Sequence, residues 1–112
     1  LVYMTKDLRR TIDYLETRDD IDISKLGYFG LSWGASWGPI FTAIEDRFAA
    51  SILLAGSLGQ YPPERPPESI PINFMPRSTV PVLMINGRND FFAPPETMIQ
   101  PMFELLGTPA EQ

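Results

Sequence analysis

The chain contains neither cysteine nor histidine. The missing cysteines exclude disulfide bonds, thiolate metal ligands and a cysteine nucleophile. The missing histidines remove the commonest metal ligand and the commonest general base. No apolar run approaches the ~18 residues that a membrane-spanning helix needs. An enzyme built around this sequence would therefore take its base from an unusual group or from residues outside these 112.

Basic residues are also scarce, nine Lys+Arg against fourteen Asp+Glu, which gives a net charge of −5. This sign opposes binding to nucleic acid or to an anionic membrane, so neither is expected as a partner. The length of 112 residues and a hydrophobic fraction of 44% fit one small α/β domain. No signal peptide is visible. Because the true N-terminus is not visible either, the cytoplasm is only the default expectation for the location. Because the first residue is Leu1 rather than Met, we expect the natural chain to begin further upstream.

Helices and strands alternate along the sequence. Leu8, Ile12 and Leu15 recur at helical spacing, with Thr5 as the predicted N-cap and with the charged residues on the solvated face. Seven of the twelve prolines lie in 57–81, which predicts a loop without regular structure. The predicted elements are a helix over 5–18, a strand over 26–29, a helix over 33–44, strands over 48–55 and 81–86, and a helix from about 95 that bends near Pro101 and stops at Gly107.

Strands that are apolar on both faces and separated by helices predict a parallel sheet in a three-layer αβα sandwich. The sequence shows no internal repeat and no domain boundary, so 1–112 is expected to form a single domain. Three strands are few for a sheet of this kind, because its faces and its edges need cover. We therefore expect the chain to be part of a larger fold.

One motif indicates a catalytic site, the G-x-S-x-G of Gly30 to Gly34. It follows a predicted strand and opens a predicted helix, as a nucleophile elbow does. Small residues at Gly30 and Gly34 avoid collisions in the tight turn, and Ser32 lies at a helix N-terminus that favours a developing alkoxide. The backbone N–H of Trp33 can point at the substrate oxyanion. The alternative is an ordinary strand-to-helix turn or a phosphate-binding loop, which the lack of G-x-G-x-x-G and of a Walker lysine weakens.

Asp90 is the second candidate. It follows the last predicted strand, where open α/β sheets place functional groups, and it comes after the serine in the order that α/β serine hydrolases use. The alternative is a polar residue of a surface turn. Asn89 and Asp46 are weaker candidates, and Arg88 is expected to be a surface charge.

Trp33 and Trp37 are spaced i,i+4 on the helix after the serine. They are expected either to pack in the core and pocket wall or to face the substrate, and we assign Trp37 to substrate binding. The loop over 57–78 is expected either to cover the pocket or to be a plain surface excursion. Its candidate cover residues are Tyr61, Phe74 and Met75.

With these motifs the chain resembles the C-terminal part of an α/β-hydrolase of the esterase, prolyl-oligopeptidase-like or dienelactone hydrolase-like kind. The resemblance implies that Ser32 is the nucleophile, Trp33 the second oxyanion donor and Asp90 the triad acid. It also implies a small-molecule ester or acyl substrate, or a related peptide bond, with no metal and no organic cofactor. Ala35 stands where a second glycine is common, and Pro39 is unusual in that helix.

The family's triad histidine lies beyond the acid, further along than the 22 residues that follow Asp90 here. The resemblance therefore implies a chain truncated at both ends, whose base comes from outside it. One alternative is a catalytically inactive α/β-hydrolase-like domain used for binding or scaffolding. Another is a complete flavodoxin-like ligand-binding domain, which would unfold cooperatively by itself.

Overall fold

The computed structural model describes residues 1–109, with three α-helices and three β-strands in those residues. Their order agrees with the order that the sequence predicted. The elements are α1 (Val2–Glu16), β1 (Gly27–Leu31), α2 (Trp33–Ile44), β2 (Ala50–Leu54), β3 (Val82–Ile85) and α3 (Gln100–Leu105). None of the helices in this part of the chain is long and apolar enough to cross a bilayer.

The three strands form one parallel sheet in the order β1-β2-β3. The crossover from β1 to β2 is α2, and the crossover from β2 to β3 is the proline-rich segment. The predicted parallel α/β sheet is therefore confirmed. Because parallel strands end at the same edge, the residues that follow Leu31, Leu54 and Ile85 come together there.

One face of the sheet is covered by α2 and α3 and forms the main core. Ala35 of α2, Leu53 of β2 and Met102 of α3 are almost completely buried. Helix α1 packs on the outer side of α2 through Met4 and Leu8. The other apolar residues packed into the main core are Tyr28, Leu58, Met75, Val82, Met84, Leu105 and Leu106.

The opposite face of the sheet is apolar and exposed. Side chains two residues apart on each strand form cross-strand rows, because side chains alternate between the faces. No element among residues 1–109 covers these rows, so this part of the chain builds two of the three predicted layers. The exposed residues are Phe29 at 63%, Leu31 at 57%, Ile52 at 39%, Leu83 at 55% and Ile85 at 46%.

The N-terminus of α1 differs from the prediction. The helix begins at Val2, with Leu1 rather than Thr5 in the N-cap position. Thr5 lies inside the first turn, where its backbone N–H and its hydroxyl both donate to the Leu1 carbonyl, at 3.0 and 3.2 Å. A threonine inside a helix can bond back to the preceding turn, so its presence does not by itself mark a helix start.

Some charged residues of α1, which were predicted to lie on the solvated face, are largely exposed and also join a network. The Glu45 carboxylate is 1% exposed and accepts hydrogen bonds from Nε and Nη2 of Arg47, both at 2.7 Å. Nη1 of Arg47 lies 2.9 Å from Asp13 and 3.1 Å from Glu16. Arg9 approaches Glu45 at 3.5 Å. These contacts fasten α1 to the end of α2, and no local sequence pattern reveals them.

The segment 57–81 was predicted to lack regular structure, and this prediction was wrong because the segment contains short helical turns. It contains three single-turn 3₁₀-helices, each with a proline in its first two positions. Proline suits these positions because its φ is preset and its missing N–H would have no partner there. The turns are Pro67–Ser69, Pro71–Asn73 and Met75–Arg77.

The C-terminal helix is divided as the prolines predicted. A π-helical turn over Pro95–Ile99 leads into α3, which begins next to Pro101. Gly107 follows the end of α3, and its N–H donates to the Met75 carbonyl at 2.9 Å.

Candidate active site

Ser32 lies in the tight turn between β1 and α2. Its backbone has φ 53° and ψ −110°, in the left-handed half of conformational space. Two backbone hydrogen bonds maintain this conformation. The Ser32 N–H donates to the Leu54 carbonyl at 2.8 Å, and the Ser36 N–H donates to the Ser32 carbonyl at 3.0 Å. A strained serine anchored on both sides is the backbone geometry that a nucleophile elbow requires.

The hydroxyl of Ser32 has no structural hydrogen-bonding role among the described residues. Serine in an N-cap position usually accepts a hydrogen bond from the first helical turn, but this side chain makes no capping bond. The residue is exposed, at the N-terminus of α2. The first N–H groups of a helix, beginning with that of Trp33, have no acceptor within the helix. They are available to a negative charge that develops next to Ser32.

The two glycines of the motif have different roles. A Cβ on Gly30 would lie 2.6 Å from the carbonyl carbon and oxygen of Gly34, which are backbone atoms that cannot move aside. A Cβ on Gly34 would meet only the Tyr28 hydroxyl, at an ordinary 3.9 Å. The prediction of small residues is therefore strictest at Gly30, where no Cβ fits, whereas a methyl group fits at Gly34.

Asp90 ends the turn that follows β3, where its N–H donates to the Gly87 carbonyl at 3.2 Å. Its Oδ1 accepts hydrogen bonds from the backbone N–H groups of Phe92 at 2.9 Å and Ala93 at 3.3 Å. These bonds hold the half-buried carboxylate in one orientation. Its Oδ2 has no hydrogen-bond donor among residues 1–109 and remains able to accept one from another group.

A cavity of about 500 Å³ at the carboxyl ends of the strands brings the four predicted site residues together. Asn89 and Arg88 are exposed and outside its lining, and the exposed Asp46 lines a different cavity. The residues that line the site are Ser32, Trp33, Ser36, Trp37, Ala55, Ser57, Gly59, Tyr61, Arg65, Asp90, Phe92 and Ala93.

Aromatic side chains form much of the cavity wall. The rings of Trp33 and Trp37 are stacked, with centroids 4.8 Å apart and an angle of 24° between their planes. Trp33 is 55% exposed, whereas Trp37 is 8% exposed and also belongs to the core between α1 and α2. Of the three candidate cover residues in the loop, Tyr61 alone lines the cavity. Met75 is instead completely buried in the main core, and Phe74 packs against Trp37 and its neighbours.

Side-chain hydrogen bonds brace the loops around the cavity. The Ser36 hydroxyl accepts a hydrogen bond from the Ser57 N–H at 3.0 Å, which fixes the loop after β2 to α2. The Asn86 amide donates to the Gly56 carbonyl at 2.7 Å, which joins the ends of β2 and β3. Ser32 and Asp90 thus lie on elements that are fixed to one another.

Arg65 is a site residue that reasoning from the sequence missed. Its guanidinium carbon lies 5.1 Å from the ring centroid of Trp37 and 4.7 Å from that of Tyr61. Burial raises the pKa of Tyr61, and the positive charge of Arg65 opposes this shift. Within the proline-rich segment nothing in the local pattern distinguishes Arg65 from a surface charge, because only the path of the loop brings it to the cavity.

Ala55 was also missed. It follows β2 directly, has φ 54°, and lines the same cavity as Ser32. Among residues 1–109 there is no group of three or more acidic side chains placed to hold a metal ion.

Comparison with known proteins identifies the fold. No family model and no curated protein matches the chain. The chain is similar to a solved structure from Klebsiella pneumoniae subsp. pneumoniae described as a "putative dienelactone hydrolase", with a TM-score of 0.73 and 23% sequence identity. The similarity covers 92% of this chain and 42% of the other chain, so this chain spans less than half of its neighbour's length. The fold is thus of the α/β-hydrolase type, with parallel strands and helices in the arrangement of that neighbour.

Proposed function

We propose that the protein is a serine hydrolase that cleaves carboxylic esters or related acyl bonds, with Ser32 as its nucleophile. The observation that carries the proposal is the left-handed backbone of Ser32 in a cavity that Asp90 also lines. The α/β-hydrolase fold supports the proposal as an analogy, since the same fold serves other functions.

The proposed reaction begins when Ser32 Oγ attacks the carbonyl carbon while a base accepts the hydroxyl proton. The backbone N–H of Trp33 stabilises the oxyanion of the tetrahedral intermediate. The intermediate breaks down when the base returns the proton to the departing alcohol, which leaves an acyl-serine. Water, activated by the same base, then releases the acid and restores Ser32.

These 112 residues contain no histidine, so a histidine base would come from outside them. We propose a histidine there whose imidazole donates a hydrogen bond to Asp90. The carboxylate is suited to this role because backbone amides hold Oδ1 while Oδ2 has no donor among the described residues. Without such a base the serine hydroxyl stays protonated and reacts slowly.

A fluorophosphonate probe applied to the intact natural protein tests the proposal. We expect one adduct on the peptide that contains Ser32, together with hydrolysis of short p-nitrophenyl esters. Ser32→Ala should abolish the adduct and lower kcat by at least about 10³-fold. Asp90→Asn should lower kcat by about 10⁴-fold and alter its pH profile, because the imidazole loses its orienting acceptor.

Ser36→Ala is the matched control, since Ser36 is on the same helix and its hydroxyl also lines the cavity. Its adduct should remain on Ser32. The second candidate, an inactive α/β-hydrolase-like binding domain, would lack the histidine in the intact protein as well. An intact, folded protein that forms no adduct and hydrolyses no ester would support that candidate and contradict the proposal.

A further inference from the structure

Tyr28 contacts the helix that follows the proposed nucleophile. It lies on β1, and its hydroxyl donates a hydrogen bond at 2.8 Å to the Gly34 carbonyl in the first turn of α2. Ser32 lies between these two residues in the chain, four residues after Tyr28 and two before Gly34. The hydrogen bond therefore closes the strand-to-helix turn on the side that faces the core. The proposed reaction makes no use of Tyr28.

The ring of Tyr28 is fixed by its neighbours. It makes an edge-to-face contact with Phe48, with centroids 5.6 Å apart and planes at 78°, and its centroid lies 5.9 Å from that of Phe41. A Cβ on Gly38 would come within 2.9 Å of the ring. The ring thus lies against the second turn of α2 while its hydroxyl reaches the first turn. Because the ring cannot shift, the direction of the hydroxyl is set relative to β1.

The hydroxyl remains a donor over a wide pH range. Burial raises the pKa of Tyr28 to about 12, so the group stays protonated at neutral pH and well above it. A partly buried carbonyl that loses such a donor is left with fewer partners, so the bond resists opening. The contact is therefore a permanent link between β1 and α2.

The first turn of α2 carries groups on which the proposed reaction depends. The Ser32 N–H donates to the Leu54 carbonyl, and the Ser36 N–H donates to the Ser32 carbonyl. One bond fastens Ser32 to β2 and the other lies within the turn, so neither fixes the turn against β1. Within residues 1–109, the hydrogen bond from Tyr28 is the one that does. Displacing a catalytic group such as the Trp33 N–H by about 1 Å can cost about 10²-fold in rate.

We propose that Tyr28 is a positioning residue that fixes the first turn of α2, so that the Trp33 N–H and the Ser32 hydroxyl reach one substrate carbonyl group. This inference rests on the proposed hydrolase function. It gives Tyr28 no contact with the substrate and no part in proton transfer.

Tyr28→Phe in the intact protein tests the proposal, because it removes the hydroxyl alone. With p-nitrophenyl acetate we expect kcat, expressed per serine titrated by a fluorophosphonate, to fall by about tenfold while KM changes by less than about twofold. The reason is that the position of the Trp33 N–H matters to the oxyanion and little to the bound ester. Affinity for a trifluoromethyl ketone, which forms a tetrahedral adduct with serine, should fall by about the same factor as kcat.

Thr42→Val is the matched control. Thr42 is buried near the C-terminal end of α2, and its hydroxyl also donates to a carbonyl of this helix, that of Gly38 at 3.1 Å. Its loss should lower the urea midpoint, as Tyr28→Phe does, but leave kcat per titrated serine within about twofold. An equal fall in kcat for the two variants would assign the effect to stability and contradict the positioning role.

Near-UV circular dichroism gives a measurement that needs no substrate. Trp33 lies in the turn that Tyr28 holds, and its ring is stacked on that of Trp37 with centroids 4.8 Å apart. Tyr28→Phe should therefore alter the tryptophan signal, whereas Thr42→Val should leave it unchanged.

The outcomes separate this inference from the proposed function. If Tyr28→Phe retains the kcat and the ketone affinity of the unsubstituted protein, the positioning role is contradicted and the hydrolase proposal stands. If the unsubstituted protein cleaves no ester and Ser32 is not labelled, the hydrolase proposal fails and the catalytic part of the role fails with it. The tryptophan signal then still decides whether Tyr28 holds the turn.

Discussion

Ser32 adopts a backbone conformation that costs on the order of 1–3 kcal/mol for a residue with a side chain. Hydrogen bonds to Leu54 and from Ser36 hold it there, and the backbone of Gly34 lies so near Gly30 that a Cβ at Gly30 would collide with it. The strain is thus imposed by the neighbouring elements. Its effect is to place a hydroxyl at the helix N-terminus without using that hydroxyl as a cap.

Gly30→Ala should destabilise the protein by about 1–3 kcal/mol, because the new methyl group would collide with the backbone of Gly34. The free energy of unfolding in urea measures this effect. Gly34→Ala is the control in the same motif, and it should leave stability unchanged or raise it by about 0.5 kcal/mol. Equal stability of the two variants would show that the turn is looser than the structure indicates.

Helix α1 and the end of α2 are joined by the network around the buried Glu45 carboxylate. Hydrogen bonds from Arg47 lower the pKa of Glu45 below its ordinary value of 4.5, although desolvation opposes this shift. A pKa that is lower in the folded state makes the ionised carboxylate a source of stability. This contribution is complete above the unfolded value and is lost as the pH falls through the folded value.

Arg47→Met should therefore lower the urea midpoint at neutral pH, because it leaves Glu45 buried with only the more distant Arg9 beside it. The difference from the unsubstituted protein should shrink as the pH falls below the ordinary value of 4.5 and through the lowered pKa of Glu45, where the carboxylate becomes protonated. Urea titrations across this pH range make the measurement. Arg10→Met is the control, since Arg10 is 86% exposed and lies 3.7 Å from Asp13. If Arg47→Met lowers the urea midpoint by the same amount at every pH, the effect would be due to packing rather than to charge.

At the scale of the molecule, the sheet has one buried face and one exposed apolar face. Phe29, Ile52 and Leu83 form one cross-strand row of that exposed face. Exposed apolar patches of this kind promote association with other surfaces, and the strands at both edges of this three-stranded sheet add to that tendency.

A polypeptide of these 112 residues alone should therefore self-associate. Sedimentation velocity should show an average mass that rises with concentration, and Leu83→Lys should reduce it. Val2→Lys is the control, because Val2 is 65% exposed but lies on α1. A monomer with a sharp near-UV melting transition would contradict this prediction and favour a self-sufficient flavodoxin-like domain.

Local patterns in the sequence were enough to predict the parallel α/β fold, the order of its elements, the turn at Ser32 and the place of Asp90 after the last strand. These features depend on periodicity, on glycine at a crowded position and on strand order, which are all properties of short segments. Only the tertiary structure placed Arg65 on Trp37, brought Arg47 to Asp13 and Glu16, and showed that residues 1–109 leave one sheet face exposed. These features join residues far apart in the chain, and their geometry depends on the path of long connections that no local periodicity specifies.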